Sequence, residues 1–159
     1  MTSSIDVAEF ILQQKGPISS VKLQRLVYYS QVWSLALDGK NIFEEPIEAW
    51  KNGPVVRNLL EKTRYNEQIP SVHSGDPSLI DEDSKDTIIA VLIYYGQKSD
   101  DWLQNLVHNE EPWIETRENA SKCKNDYNDV SYNVTISQNK MREYYANLDD
   151  IYWEAENVF

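Results

Sequence analysis

The stretch from Ser20 to Asp38 limits the fold of this chain more than any other part of it. Ser19 or Ser20 is suited to cap a helix and Gly39 to end one, so the residues between them define a helix over about 20–38. Its apolar members, Val21, Leu23, Leu26, Val27, Tyr28, Val32, Trp33, Leu35, Ala36 and Leu37, occupy most of the circumference instead of one stripe. A helix apolar nearly all round has to be covered on most sides by other elements. The expected fold class is therefore mostly α (α+β): a single helical domain over 1–159, built around this buried central helix, with small β elements. A chain of 159 residues fits one core, and 41% apolar residues, with 5 Trp and 10 Tyr, exclude a disordered chain.

The remaining pattern supplies the cover. Ile5, Val7, Ala8, Ile11 and Leu12 predict a first helix from Ile5 to Gln14, stopped by Gly16-Pro17. Pro46 and Gly53-Pro54 bracket Ile47 to Asn52, too short for a helix and read as a strand or extended loop. Pro54 is suited to the first turn of a third helix carrying Val55, Val56, Leu59 and Leu60 to near Tyr65. Asn66 to Pro77 reads as a loop in which Ile69 to His73 can form a second extended piece. Asp81 and Ser99 each suit a helix cap; the first helix runs through Ile88 and Leu92 to Tyr95, the second through Trp102, Leu103, Leu106 and Val107. A short helix is expected from Pro112 to Arg117, irregular chain from Asn119 to Tyr132, a helix after Ser137, and a last one from Leu148 to Glu156.

Charge and motifs narrow the function. The formal charge of -11, from 26 acidic against 15 basic residues, repels phosphate backbones and attracts basic proteins, so direct nucleic-acid binding is disfavoured. The longest apolar run, Ile88 to Tyr95, is eight residues, far short of the roughly 20 that span a bilayer. With one cysteine and no signal-like start, the expected location is the cytoplasm. His73, His108 and Cys123 lack metal-ligand spacing, and Asp81-Glu82-Asp83 is followed by Lys85 where a calcium loop needs a ligand, so no metal or cofactor is expected. The pairs Asp100/Asp101, Glu110/Glu111 and Asp149/Asp150 read as helix starts or solvated charge. Cys123, flanked by Lys122 and Lys124, is the best candidate nucleophile for an enzymatic reading, but no catalytic motif accompanies it.

The aromatic residues of the central helix admit two readings. Tyr28 and Tyr29 lie about 100° apart on the helix, so both are buried only if the helix is nearly surrounded; otherwise one phenol faces outward. Lys22, Gln24, Arg25 and Gln31 mark a polar flank, and an exposed Tyr beside basic residues has the composition of a protein interface. Trp33 and Trp50 are expected to anchor the core, and Gly53 to take a φ value that other residues resist.

Lys22-Leu23-Gln24-Arg25-Leu26, Tyr28-Tyr29, Trp33, Leu35-Ala36, Glu48-Ala49-Trp50 and Gly53-Pro54-Val55 together resemble the signature of the Panacea (SocA-like) antitoxin domain, a phage-associated family. The match is strongest over 21–56, and His108 to Trp113, HNEEPW, is similar to a second, weaker signature. Asn52 and Arg57 depart from the family pattern, which favours an aromatic residue or histidine before Gly-Pro and a proline after Val-Val. The resemblance implies a mostly helical, non-enzymatic antitoxin of a toxin–antitoxin pair that neutralises a cognate protein toxin, usually encoded beside it, by direct binding. Lys22, Gln24, Arg25, Tyr29, Lys51, Asn52 and Arg57 are the expected partner-binding residues. The alternative is a phage or mobile-element protein that binds and inhibits or redirects a host factor such as a defence complex or a protease.

Overall fold

The computed structural model describes the backbone of residues 1–64, 66–121 and 133–158, and the side chains of 1–64, 66–120 and 133–148. Among these there are seven α-helices and a small three-stranded antiparallel sheet. Helix α1 (Ser4–Lys15) starts in a capping box: the Ser3 hydroxyl accepts the Asp6 N–H, and the Asp6 carboxylate accepts the Ser3 N–H. Ser19 caps α2 (Ser20–Asp38) by accepting the Lys22 N–H at 3.0 Å, and Gly39, at φ 67°, closes it in the left-handed conformation. Strands β1 (Glu48–Trp50) and β2 (Gly53–Val55) form a hairpin, followed by α3 (Arg57–Thr63) and a 3-10 turn at Pro77–Leu79. Helices α4 (Glu82–Tyr95) and α5 (Asp100–Val107) are capped by the Asp81 carboxylate and the Ser99 hydroxyl, and α6 (Glu111–Ser121), β3 (Val134–Thr135) and α7 (Gln138–Val158) complete the chain.

Every residue of α2 from Leu23 to Leu35 is buried, as its all-round apolar pattern requires. Helices α7 and α4 pack most extensively on it, with α1, α5 and α3 covering the remaining sides. Buried apolar side chains from Ile5 to Tyr145 form one continuous cluster around it. The sheet lies at one side in the order β2-β1-β3, with Ala49 opposite Pro54 in one ladder and opposite Val134 in the other.

Several expectations change. Pro54 does not open the third helix; it sits in edge strand β2, where its missing N–H leaves no broken ladder, and the helix begins at Arg57. The two C-terminal helices are one, α7. The extended piece expected from Ile69 to His73 reduces to a single bridge between Ile69 and Ile18. Residues 119–121 continue α6 instead of loosening, while 122–132, including Cys123, lie outside the described residues. Trp33 is buried at 8% exposure, but Trp50 is only half-buried and borders a cleft instead of the core.

Candidate functional site

Three long polar side chains of α2 do not face solvent. Gln24, Arg25 and Gln31 are all at most 4% exposed, and each spends its side chain on main-chain groups of residues 42–56. Gln24 holds Val56 from both ends, donating Nε2–H to its carbonyl at 3.1 Å and accepting its N–H at 3.0 Å. Gln31 donates to the Phe43 carbonyl and accepts the N–H of Ile42, at 2.8 Å each, which fixes the irregular segment before β1. Arg25 donates to the carbonyls of Asn52 at 2.6 Å and Pro54 at 2.9 Å, with Gln104 Oε1 a distant 3.5 Å from the same guanidinium.

The far side of the hairpin is gripped from α6. Arg117 Nη1 donates to the Ala49 carbonyl at 3.0 Å, and Trp113 Nε1 to the Trp50 carbonyl at 2.7 Å. Trp113 is in turn stacked on His108, ring centroids 4.5 Å apart, so the HNEEPW stretch acts as a brace for β1. Gly53, between the two grips, has φ 139°, and a Cβ there would come within 2.3 Å of Arg25 Nη2. The expected need for glycine is thus met twice, by backbone conformation and by the guanidinium beneath it.

Between the start of α2, the hairpin, α5 and α6 opens a cleft of about 410 Å³. Val21, Trp50, Val55 and Leu60 give it apolar walls. Among the described residues that line it, Arg25, Lys51 and Arg117 are basic and none is acidic. Burial lowers the Arg25 pKa to about 10, against the opposing influence of the Tyr29 and Tyr28 phenols and Asp100, which leaves it cationic at neutral pH.

A second polar cluster occupies the opposite environment. Tyr29 donates its hydroxyl to Glu110 Oε1 at 2.7 Å and Tyr145 donates to the same oxygen at 2.8 Å, with the Tyr28 and Tyr145 hydroxyls 3.0 Å apart. Tyr29 stacks on Tyr95 at 4.2 Å, and Tyr95 accepts the Trp33 indole N–H at 2.9 Å. Burial raises the Glu110 pKa to about 7, although both phenolic hydrogen bonds act the other way; the phenols of Tyr28, Tyr29 and Tyr145 are themselves pushed up, first by burial and then by neighbouring groups. None of these four side chains exceeds 2% exposure, so the cluster offers no surface on which a substrate would sit.

The expected contact residues fall into three groups. Lys51, Asn52 and Arg57 are exposed at or beside the hairpin; Arg57 forms a two-pronged ion pair with Glu48 at 2.9 and 3.0 Å and lies over the Trp50 ring at 5.4 Å. Lys22 is half-buried and donates to the Lys98 carbonyl at 2.8 Å. Gln24, Arg25 and Tyr29 are buried: the first two border the cleft from below, and Tyr29 faces the Glu110 cluster, so the outward-facing phenol considered from sequence is absent and both Tyr28 and Tyr29 are interior. Sequence reasoning missed Gln104, Arg117, Val21, Val55 and Leu60 as cleft residues. Their one sequence signal is Trp113 and Arg117 at i,i+4 on α6, which places both on one helix face. Among the described residues, no group of three or more His, Cys, Asp or Glu is placed to hold a metal ion, and no helix is long and apolar enough to cross a membrane.

The family model for the SocA-like antitoxin, Panacea domain, matches residues 23–114, more than half of the chain. The match takes in α2 from Leu23 onwards, the hairpin and the Glu110 cluster's carboxylate, and it ends one residue beyond the Trp113 brace. Neither the curated proteins nor the solved structures contain a significant match.

Proposed function

Because the chain belongs to the SocA-like antitoxin family built on the Panacea domain, we propose that it is the antitoxin of a toxin–antitoxin pair and neutralises a cognate protein toxin, encoded by an adjacent gene, by direct contact. The family match carries this reading. The hairpin with its cleft is the contact surface: Lys51, Asn52 and Arg57 meet the partner, while Gln24 and Arg25 hold their backbone in place from below. A rigidly supported, exposed loop suits recognition, because little conformational entropy is lost when it binds. The protein acts by binding, without catalysis or cofactor, inside the cell. Its charge of -11 speeds encounter with a basic toxin, so the association rate falls as salt is raised.

The test is growth of a bacterial host expressing the neighbouring open reading frame, with and without this chain, followed by co-purification. Relief of toxicity together with a stable complex is the expected result. A harmless neighbour that does not co-purify would remove the reading and favour a host factor as partner.

A further inference from the structure

The cleft beneath the hairpin has an electrostatic character opposite to that of the chain around it. Acidic residues outnumber basic ones 26 to 15 overall, yet among the described residues Arg25, Lys51 and Arg117 line the cleft and no carboxylate does. Arg25 is 3% exposed, and every hydrogen-bond acceptor it has is neutral: two main-chain carbonyls and, at the limit of bonding distance, the Gln104 amide. Its buried Nε has no partner at all. Asp100, which acts on it through space, receives the Ser19 hydroxyl at 2.6 Å instead. A buried guanidinium normally meets a carboxylate or phosphate in a forked pair; here that place is filled by an amide at 3.5 Å, the weakest bond in the set.

We propose that this cleft binds the C-terminus of a protein chain ending in an apolar residue, with the terminal carboxylate displacing Gln104 from Arg25 and the last side chain packing on Val21, Trp50, Val55 and Leu60. The inference rests on the antitoxin reading only in making the occupant part of a protein. Size and chemistry select a chain end. About 410 Å³ accepts one or two residues and no folded element. The basic floor and apolar walls lie together, and a terminal residue carries its carboxylate and side chain on one carbon, so both enter at once. Phosphate offers nothing to the four apolar walls, and an internal acidic residue brings no apolar group beside its charge.

The probes are acetyl-Gly-Leu as the free acid, its C-terminal amide, and acetyl-Gly-Glu-Gly-amide, titrated into the full chain and read by nuclear magnetic resonance at the Trp50 indole N–H and the Asn52 and Val55 amides. The free acid is expected to saturate those signals with a dissociation constant on the order of millimolar, and the amide to bind at least about tenfold more weakly. Gln104→Glu supplies an internal carboxylate for Arg25 and should abolish free-acid binding with signals outside the cleft unchanged. Equal binding of acid and amide, or no binding of either, overturns the proposal; equal binding of the internal glutamate peptide overturns the assignment to a chain end. Rescue from the toxin by Gln104→Glu at the wild-type level removes the toxin as occupant but leaves the antitoxin reading standing. Free-acid binding by a wild-type chain that relieves no toxicity does the reverse.

Discussion

Arg25 and Tyr29 are one helical turn apart on α2, and each leads to a buried charged group treated in an opposite way. On one side the Arg25 cation is held by main-chain carbonyls at the floor of an open cleft and stays charged. On the other, Glu110 is enclosed by phenols, and burial pushes its carboxyl towards the neutral form. A guanidinium spreads its charge over several donors and tolerates neutral acceptors, whereas a carboxylate deprived of water and of any cation gives up its charge. The open side is therefore suited to recognition and the closed side to holding α2, α4 and α7 together.

The sharpest way to probe the closed side is Trp33→Ala. It removes a buried indole that packs edge-on against Tyr145 at 5.6 Å and donates to Tyr95, and should lower stability by about 3 to 5 kcal/mol in denaturant unfolding. A loss below about 1 kcal/mol would show that the cluster is not close-packed.

Next comes pH. The Glu110 carboxyl titrates near 4.5 when unfolded and at about 7 in the fold, so folding takes up a proton between those values. Its contribution is fully present below pH about 4.5, declines as pH rises to about 7, and is constant above that; the total is about 3 kcal/mol at roughly 1.4 kcal/mol per unit. Glu110→Gln should flatten the decline between pH 5 and 7. An unchanged slope in the variant would place the titration elsewhere and erase the contrast with Arg25.

On the open side, Gly53→Ala forces a β-carbon into a φ of 139° and against Arg25 Nη2, for a loss of about 2 kcal/mol. The change should also shift the Asn52 amide signal, since the guanidinium has to move. Arg57→Ala, which removes an ion pair with Glu48 at the surface, is expected to leave stability nearly unchanged while weakening partner binding. If Arg57→Ala proves more damaging to the fold than Gly53→Ala, the hairpin is held from its surface and not from beneath.

The sequence made α2 legible because periodicity and caps are local: Ser19, Gly39 and the encircling apolar residues all act within one helix. The same holds for the caps at Asp81 and Ser99. Pro54 was misread because a missing N–H is equally suitable at a helix start and in an edge strand, and the contact that holds it in the hairpin comes from Arg25, 29 positions earlier, which donates a hydrogen bond to its carbonyl. Gln24, Arg25 and Gln31 read as an outward polar flank, with Gln24 and Arg25 expected to meet a partner, because long polar side chains at helix spacing usually face outward. Nothing in their own neighbourhood in sequence announces the backbone of residues 42–56 that they serve. Strand β3 was likewise invisible, since Val134 and Thr135 gain strand character only from Ala49 and Glu48.

All four grips on the hairpin, from Arg25 twice, Arg117 and Trp113, close on carbonyl oxygens of residues 49, 50, 52 and 54. Every amino acid has that oxygen. The side chains at 51 and 52 can therefore be exchanged for almost any others without loosening the loop's attachment, so the surface most suited to meeting a partner is also the one whose chemistry is freest to diversify.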